Sequence, residues 1–232
     1  MTQRSQHKLN GMAADLGRLA DRTFDAVIFD MDETLIASMA ATVRCWTQLA
    51  VAYGLTEEDF HNTQGMPSEG VIAKLLPAEH RDEALAMVER LEQNDYADVV
   101  ALPGAERALT TIPPDRAAIA TSATDGVMRV RLAQSKLPLP DAVVTRDMVE
   151  RGKPHPDPFL LAAELLGAEP TRCLVVEDAP AGIAAGRAAG ASTLAILTTA
   201  GPEQLADADG IITNLADVDW VVDDDGVRVL LR

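Results

Sequence analysis

Four short segments of this 232-residue chain hold the side chains that could act together in a reaction. Asp30 and Asp32 stand in DMDET, Thr121 and Ser122 end RAAIATS, Lys153 lies in RGKPHPDPF, and Glu177 and Asp178 end RCLVVED. Two carboxylates at i and i+2 just past a strand can point the same way, one as nucleophile and metal ligand, the other as proton shuttle. Alone, a DxD is commonly a turn or a helix cap, and an acidic pair at a helix start is equally ordinary. Together, four carboxylates meeting at one sheet edge would repel unless a cation neutralised them, and a hard, oxygen-rich site of that kind suits Mg²⁺. Lys153 beside such a cluster can pair Asp30 and a phosphate oxygen at once, as a point charge and not a fork. The Ser122 hydroxyl and the Ala123 N–H, expected at the start of the next helix, form a suitable phosphate cradle.

The elements that must position these residues can be read from the same sequence. Short apolar runs rich in β-branched residues recur at DAVIFD (25–30), RAAIATS (116–122), DAVVT (141–145), RCLVVED (172–178), STLAILT (192–198) and GIIT (210–213). Such runs, ending abruptly in polar residues, predict buried parallel strands. Helical patterns separate them: PGAERALTTI, DGVMRVRLAQSKL, PDPFLLAAELLG and AGIAAGRAAG. The alternation predicts an α/β fold, a parallel sheet with helices on both faces, whose ligands belong beyond the carboxyl ends of the strands. Asp157 with Pro158 should start one of these helices, and Gly167 and Gly190 stand where left-handed residues end helices.

Residues 37–102 interrupt the alternation with helical segments at Met39 to Tyr53, Glu69 to Leu76 and Pro77 to Asp98, and read as an inserted helical cap. Residues 24–36 and 103–232 then form the catalytic core, and residues 1–23 an N-terminal arm that is either flexible or a short amphipathic helix at Ala13 to Ala20. The tail DWVVDDDGVRVLL predicts a hairpin turning near Asp223 to Gly226.

Composition narrows the partners. With 20 basic and 36 acidic residues the net charge is -16, a field that repels nucleic acid and anionic membranes, and aromatics at 3% leave few platforms for stacking bases. No apolar run approaches the length of a membrane helix or a secretory signal, so the expected location is the cytoplasm. Cys45 and Cys173 lack metal-site spacing and are expected as buried free thiols. A small anionic substrate remains admissible if cations reverse the field inside one cleft, and the expected assembly is a monomer or weak homodimer.

In order and type, the four motifs resemble the haloacid dehalogenase superfamily, whose phosphotransferases carry DxDxT, a strand-end Thr or Ser, a Lys and a final acidic pair. The resemblance runs from about Asp25 to Ala200, and RGKPHPDPFLLAAELLG and VVEDAPAGIAAGRAAG are similar to its sugar- and polyol-phosphate phosphatases, relatives of β-phosphoglucomutase. It implies a Rossmann-like core with a helical cap closing over a Mg²⁺ site, and a small phosphorylated sugar or polyol as substrate. Asp30 would attack phosphorus to give an aspartyl-phosphate. Asp32 would protonate the leaving alcohol and then deprotonate the hydrolytic water. Its backbone carbonyl, with Asp30 and Asp178, would bind Mg²⁺, and Glu177 would support the metal. Thr34, Ser122 and Lys153 would hold the phosphoryl group.

The chain departs from the family pattern at Glu33, where glycine is usual. This acid either turns outward, tunes the choice of leaving group, or serves only the local turn. Residues 37–104 carry Arg44, Lys74, Arg81 and Arg90 against eleven acids, and no arginine near Gly65, Met66, Pro67 and Ser68. A mutase must hold a second phosphate there, so hydrolysis is expected over β-phosphoglucomutase-type isomerisation, with Gln64, Gly65 and Ser68 contacting a neutral polyol or sugar. A true dehalogenase would not need Asp32 with Asp178, and a catalytically idle binding module would not be expected to keep both Asp30 and Asp32.

Overall fold

A computed structural model describes residues 14–61 and 67–232. In chain order the elements begin with β1 (Ala26–Phe29), β2 (Ile36–Ala37), α1 (Met39–Tyr53), α2 (Ser68–Leu75), α3 (Ala78–Asn94) and β3 (Val100–Ala101). There follow α4 (Ala105–Thr111), β4 (Ala117–Ala120), α5 (Asp125–Ser135), β5 (Ala142–Val144), α6 (Asp157–Leu165), β6 (Cys173–Glu177) and α7 (Pro180–Ala188). The chain closes with β7 (Ser192–Ile196), β8 (Gly210–Ile212), β9 (Val218–Asp223) and β10 (Gly226–Leu231).

All six apolar runs become strands of one parallel sheet in the order β5-β4-β1-β6-β7-β8. Every residue of β1, β4, β6 and β7 is buried, as a sheet covered on both faces requires. Alternation sends Val27, Phe29, Ile119, Leu174 and Val176 into one apolar cluster, and Ala26, Ile28, Ala118, Ala120 and Val175 into another, beneath Phe159 of α6. The alanines on that second face let the helix sit close. Because β1 lies between β4 and β6, the residues just past these three strands emerge side by side. That adjacency creates the site.

Helices α1, α2 and α3 leave and re-enter through the antiparallel pair β2–β3, with Ile36 opposite Ala101, and share an apolar cluster of Leu49, Ile72, Leu76, Ala84 and Val88. The tail forms the hairpin β9–β10, whose Trp220 meets Phe29 edge-on, ring centroids 5.8 Å apart. No helix among the described residues is long and apolar enough to cross a membrane.

Two local expectations are corrected. Residues 14–23 are neither a free arm nor an α-helix: Gly17–Leu19 form a single 3-10 turn, Asp15 and Ile211 exchange backbone hydrogen bonds of 2.8 and 2.7 Å, and Leu16 and Leu19 are buried. This segment covers the outer edge of β8, an edge that would otherwise be open to pairing with another chain. Asp157 is the first residue of α6 but makes no cap bond, because its carboxylate instead accepts from Arg151 Nε (3.1 Å) and Nη2 (2.8 Å). Gly167 and Gly190 do take positive φ, 63° and 84°, just past their helices.

Candidate active site

At the carboxyl edge of the sheet the Lys153 ammonium joins three elements. Its Nζ donates to Asp30 Oδ1 past β1, to Glu177 Oε1 (2.6 Å) at the end of β6, and to the Ala120 carbonyl (2.9 Å) at the end of β4. Lys153 comes from the loop after β5, is 6% exposed, and lies 5.1 Å from the Phe159 ring centroid. Burial works against its charge, but the adjacent Asp30 and Glu177 carboxylates outweigh that and hold its pKa above the ordinary lysine range.

Glu177 is held at both carboxylate oxygens. Beyond Lys153, its Oε2 accepts from the amides of Asp178 (3.0 Å) and Ala179 (3.1 Å). It packs so tightly against α7 that a Cβ on Gly182 would fall 1.8 Å from the Glu177 carboxyl carbon, so only glycine fits there. Asp178 accepts at Oδ2 from Thr199 Oγ1 (2.6 Å) and, at the longer distance of 3.4 Å, at Oδ1 from Thr34 Oγ1. Thr34 is thus buried beside Asp178.

Asp32 points elsewhere. Its Oδ1 accepts from Ser38 Oγ (2.6 Å) and from Arg131 Nη1 (2.7 Å), and the side chain is 28% exposed. Glu33, at φ 60°, occupies the left-handed region that glycine adopts freely, which costs another residue about 1–2 kcal/mol. Its Oε1 accepts from the amides of Ser38 (2.8 Å) and Met39 (2.7 Å) at the start of α1, a capping role of about 0.5–2 kcal/mol that offsets the strain. The carboxylate is spent on the helix and the local turn.

The phosphate cradle differs from expectation in one respect. Helix α5 begins at Asp125, so Ala123 precedes it, and the Ala123 N–H donates to the Thr121 hydroxyl (3.0 Å). The buried threonine at i closes a turn on the amide at i+2, a local bond that hydroxyl residues make at strand ends. Ser122, just past β4, is exposed. Ser68 opens α2, half-buried, whereas Gln64 and Gly65 lie outside the described residues.

Sequence reasoning missed four contributors: Ser38, Arg131, Thr198, whose hydroxyl donates to the Glu33 carbonyl (2.6 Å), and Thr199. A signal existed for two of them. Thr199 follows the β7 run at the same carboxyl edge, and Arg131 interrupts the buried stripe Val127, Met128, Leu132 of α5, where a charge needs a partner.

Three buried carboxylates face one ammonium. Asp30, Glu177 and Asp178 each offer an oxygen within 4.8 Å of the others, an all-oxygen set that fits a hard divalent cation. Without such a cation, burial, together with the Glu177 charge, raises the Asp30 pKa from 3.8 to about 7 against the pull of Lys153. Burial and the neighbouring carboxylates push Asp178 up as well. A carboxyl whose pKa is raised on folding contributes stability that is complete below its unfolded value and is lost as pH rises through the folded one. In chelator, the melting temperature should therefore fall as pH rises from about 4 to 7, and a divalent cation should raise it more at pH 8 than at pH 5. A cation-induced rise of equal size at both pH values would contradict a carboxylate metal site.

Residues 24–190 match the family model described as haloacid dehalogenase-like hydrolase. Hexitol phosphatase A of Escherichia coli (strain K12) is 36% identical over 198 residues, covering 82% of this chain and 91% of its own length. Glycerol-1-phosphate phosphohydrolase 1 of Saccharomyces cerevisiae is 34% identical over 188 residues, 75% of each chain. A crystal structure of a hydrolase from Pseudomonas syringae superposes with a TM-score of 0.75 at 27% identity, covering 84% of this chain and 95% of that one. The chain belongs to the haloacid dehalogenase-like hydrolases. Within that family it is a phosphatase, the class of its named relatives.

Proposed function

We propose that the protein hydrolyses small sugar or polyol phosphate monoesters with Mg²⁺, through an aspartyl-phosphate on Asp30, beneath a cap formed by residues 37–102. The observation that carries this reading is the Lys153 ammonium shared by Asp30 and Glu177 at a sheet edge that Asp178 also reaches. Asp30 and Asp178, with the Asp32 backbone carbonyl and support from Glu177, would hold the ion. When bound, Mg²⁺ neutralises charge on the transferring phosphoryl oxygens.

An Asp30 oxygen forms the bond to phosphorus as the ester oxygen departs, and Asp32 in its carboxylic form gives that oxygen its proton. Asp32, now a carboxylate, takes a proton from the incoming water. The new P–O bond then displaces Asp30 and releases inorganic phosphate. Lys153, Thr34 and Ser122, with the Ala123 amide once it turns from Thr121, hold the phosphoryl oxygens through the in-line transfer.

Substrate class is carried over from the hexitol and glycerol phosphatases. A mutase would need cap cations for a second phosphate; of the four, Arg44 is bound to Asp95 and Asp98, Arg81 donates to the Ala73 and Leu76 carbonyls, Lys74 donates to the His61 carbonyl, and Arg90 lies exposed on α3. The test is inorganic phosphate release from a panel of hexose, hexitol and glycerol monophosphates, with Mg²⁺ and with chelator, beside an assay for isomerised hexose phosphate. Release that stops with chelator is expected. Isomerised product with little free phosphate would replace hydrolase by mutase.

A further inference from the structure

Arg131 is a charged residue where an apolar one is expected, and its partners come from both sides of the cleft. It lies in the buried stripe of α5 with Val127, Met128 and Leu132, its side chain only 4% exposed. From there the guanidinium reaches Asp32 Oδ1 (2.7 Å), Glu92 Oε1 of α3 (3.4 Å) and Thr42 Oγ1 of α1 (3.2 Å). Its Nε is buried without an acceptor among the described residues, so the guanidinium is not placed simply to satisfy its own donors. Both bonds to the Asp32 carboxylate, from Arg131 and from Ser38, fall on the same oxygen.

The seam around Arg131 is polar. Thr124 Oγ1 donates to Glu89 Oε1 of α3 (2.9 Å), and Gln134 Nε2 of α5 donates to the Ala97 carbonyl (3.0 Å). Arg131 is the member of this seam that also touches the residue assigned to proton transfer.

We propose that Arg131 is a positioning residue for leaving-group protonation: it fixes the orientation of the Asp32 carboxyl and ties that orientation to the cap through Glu92 and Thr42. This rests on the phosphatase reading above, in which Asp32 is the acid. The reason is geometric. A carboxyl on a short loop has two rotatable bonds and must meet the ester oxygen along one line, and a small misplacement of such a group removes much of its effect. A guanidinium held from the far side by Glu92 of α3 and Thr42 of α1 limits that freedom. Arg131 acts through Asp32 alone, on its proton transfers, and leaves attack by Asp30 untouched.

The test compares two esters of different leaving group in variants of the full chain. Glycerol phosphate needs its alkoxide protonated, whereas p-nitrophenyl phosphate releases an acidic phenol that departs without help. In Arg131→Gln, kcat/KM on the alkyl ester, which runs only through departure of the leaving group and leaves out hydrolysis of the common aspartyl-phosphate, should fall on the order of 10²-fold, while kcat/KM on the aryl ester changes less than about threefold. Arg131→Lys should recover part of the alkyl rate, and Glu92→Ala, which removes the tie to α3 and leaves Asp32 paired, should show a smaller loss of the same pattern. In an Asp32→Asn background, Arg131→Gln should add almost nothing on the alkyl ester, since the two residues act in series. Melting curves of the same variants separate loss of fold from loss of function. Equal loss of kcat/KM on both esters, or a full additional loss of kcat/KM in the Asp32→Asn background, would overturn the inference and leave the phosphatase reading intact. A wild type inactive on both esters would overturn both.

Discussion

Asp30→Asn is expected to lower phosphatase activity on the order of 10⁵-fold or more, because a neutral carboxamide does not attack phosphorus and no other group takes its place in line. The substitution is nearly isosteric. Lys153 keeps Glu177 Oε1 and the Ala120 carbonyl as acceptors, and the carboxamide oxygen of the new residue can face the same ammonium, so the variant should fold. It also removes one of three clustered negative charges, so its melting temperature in chelator should not fall below that of the wild type at pH 8. The direct readout is chemical trapping. Borohydride reduction of the acid-quenched wild type during turnover should convert Asp30 to homoserine, and the Asp30→Asn variant should give none. Turnover above about 1% of wild type would place the attacking atom elsewhere.

The second large effect concerns Lys153. Replacement by Met retains an unbranched side chain against Phe159 but leaves Asp30, Glu177 and Asp178 buried with no counter-charge. Removing one partner of a buried ion pair costs about 3–5 kcal/mol, since the partner left behind remains desolvated. For a chain of this size that is a fall in melting temperature of roughly 10 °C at pH 7. The fall should shrink at pH 5, where the carboxyls accept protons more readily. A divalent cation should restore part of the stability, since it can stand against the same carboxylates. Activity should stay on the order of 10³-fold down even with the cation present, because the ammonium also neutralises the phosphoryl group. A Lys153→Met chain melting with the wild type and turning over substrate normally would remove Lys153 from the site altogether.

Much of the fold could be read from the sequence. Each of the six apolar runs became a strand of the sheet, because a strand buried on both faces must be apolar throughout and short, and that signature needs no partner to be recognised. The helices of residues 37–102 were placed within a few residues for a related reason: their own periodicity carries them, and α1 spans Met39–Tyr53 as expected. The N-terminal stretch was less legible. Leu16 and Leu19 are too few to announce a buried segment, and only the open edge of β8 gives them somewhere to pack.

The chemical residues divide in the same way. Asp30, Lys153, Glu177 and Asp178 could be listed from their motifs, because strand ends in a parallel sheet emerge on one side whatever the strand order. Sequence alone determined which residue types stand at those ends, and so the kind of chemistry available. Tertiary structure decided which of them touch: β1 lies between β4 and β6, so Lys153 can reach Asp30, Ala120 and Glu177 at once. It also set the Glu33 carboxylate on the amides that begin α1, and it joined Asp32 to Arg131 across 99 positions of sequence. Local periodicity follows from neighbours along the chain and is written in them. Contacts between distant residues depend on which strands lie side by side and on the helices that pack across them.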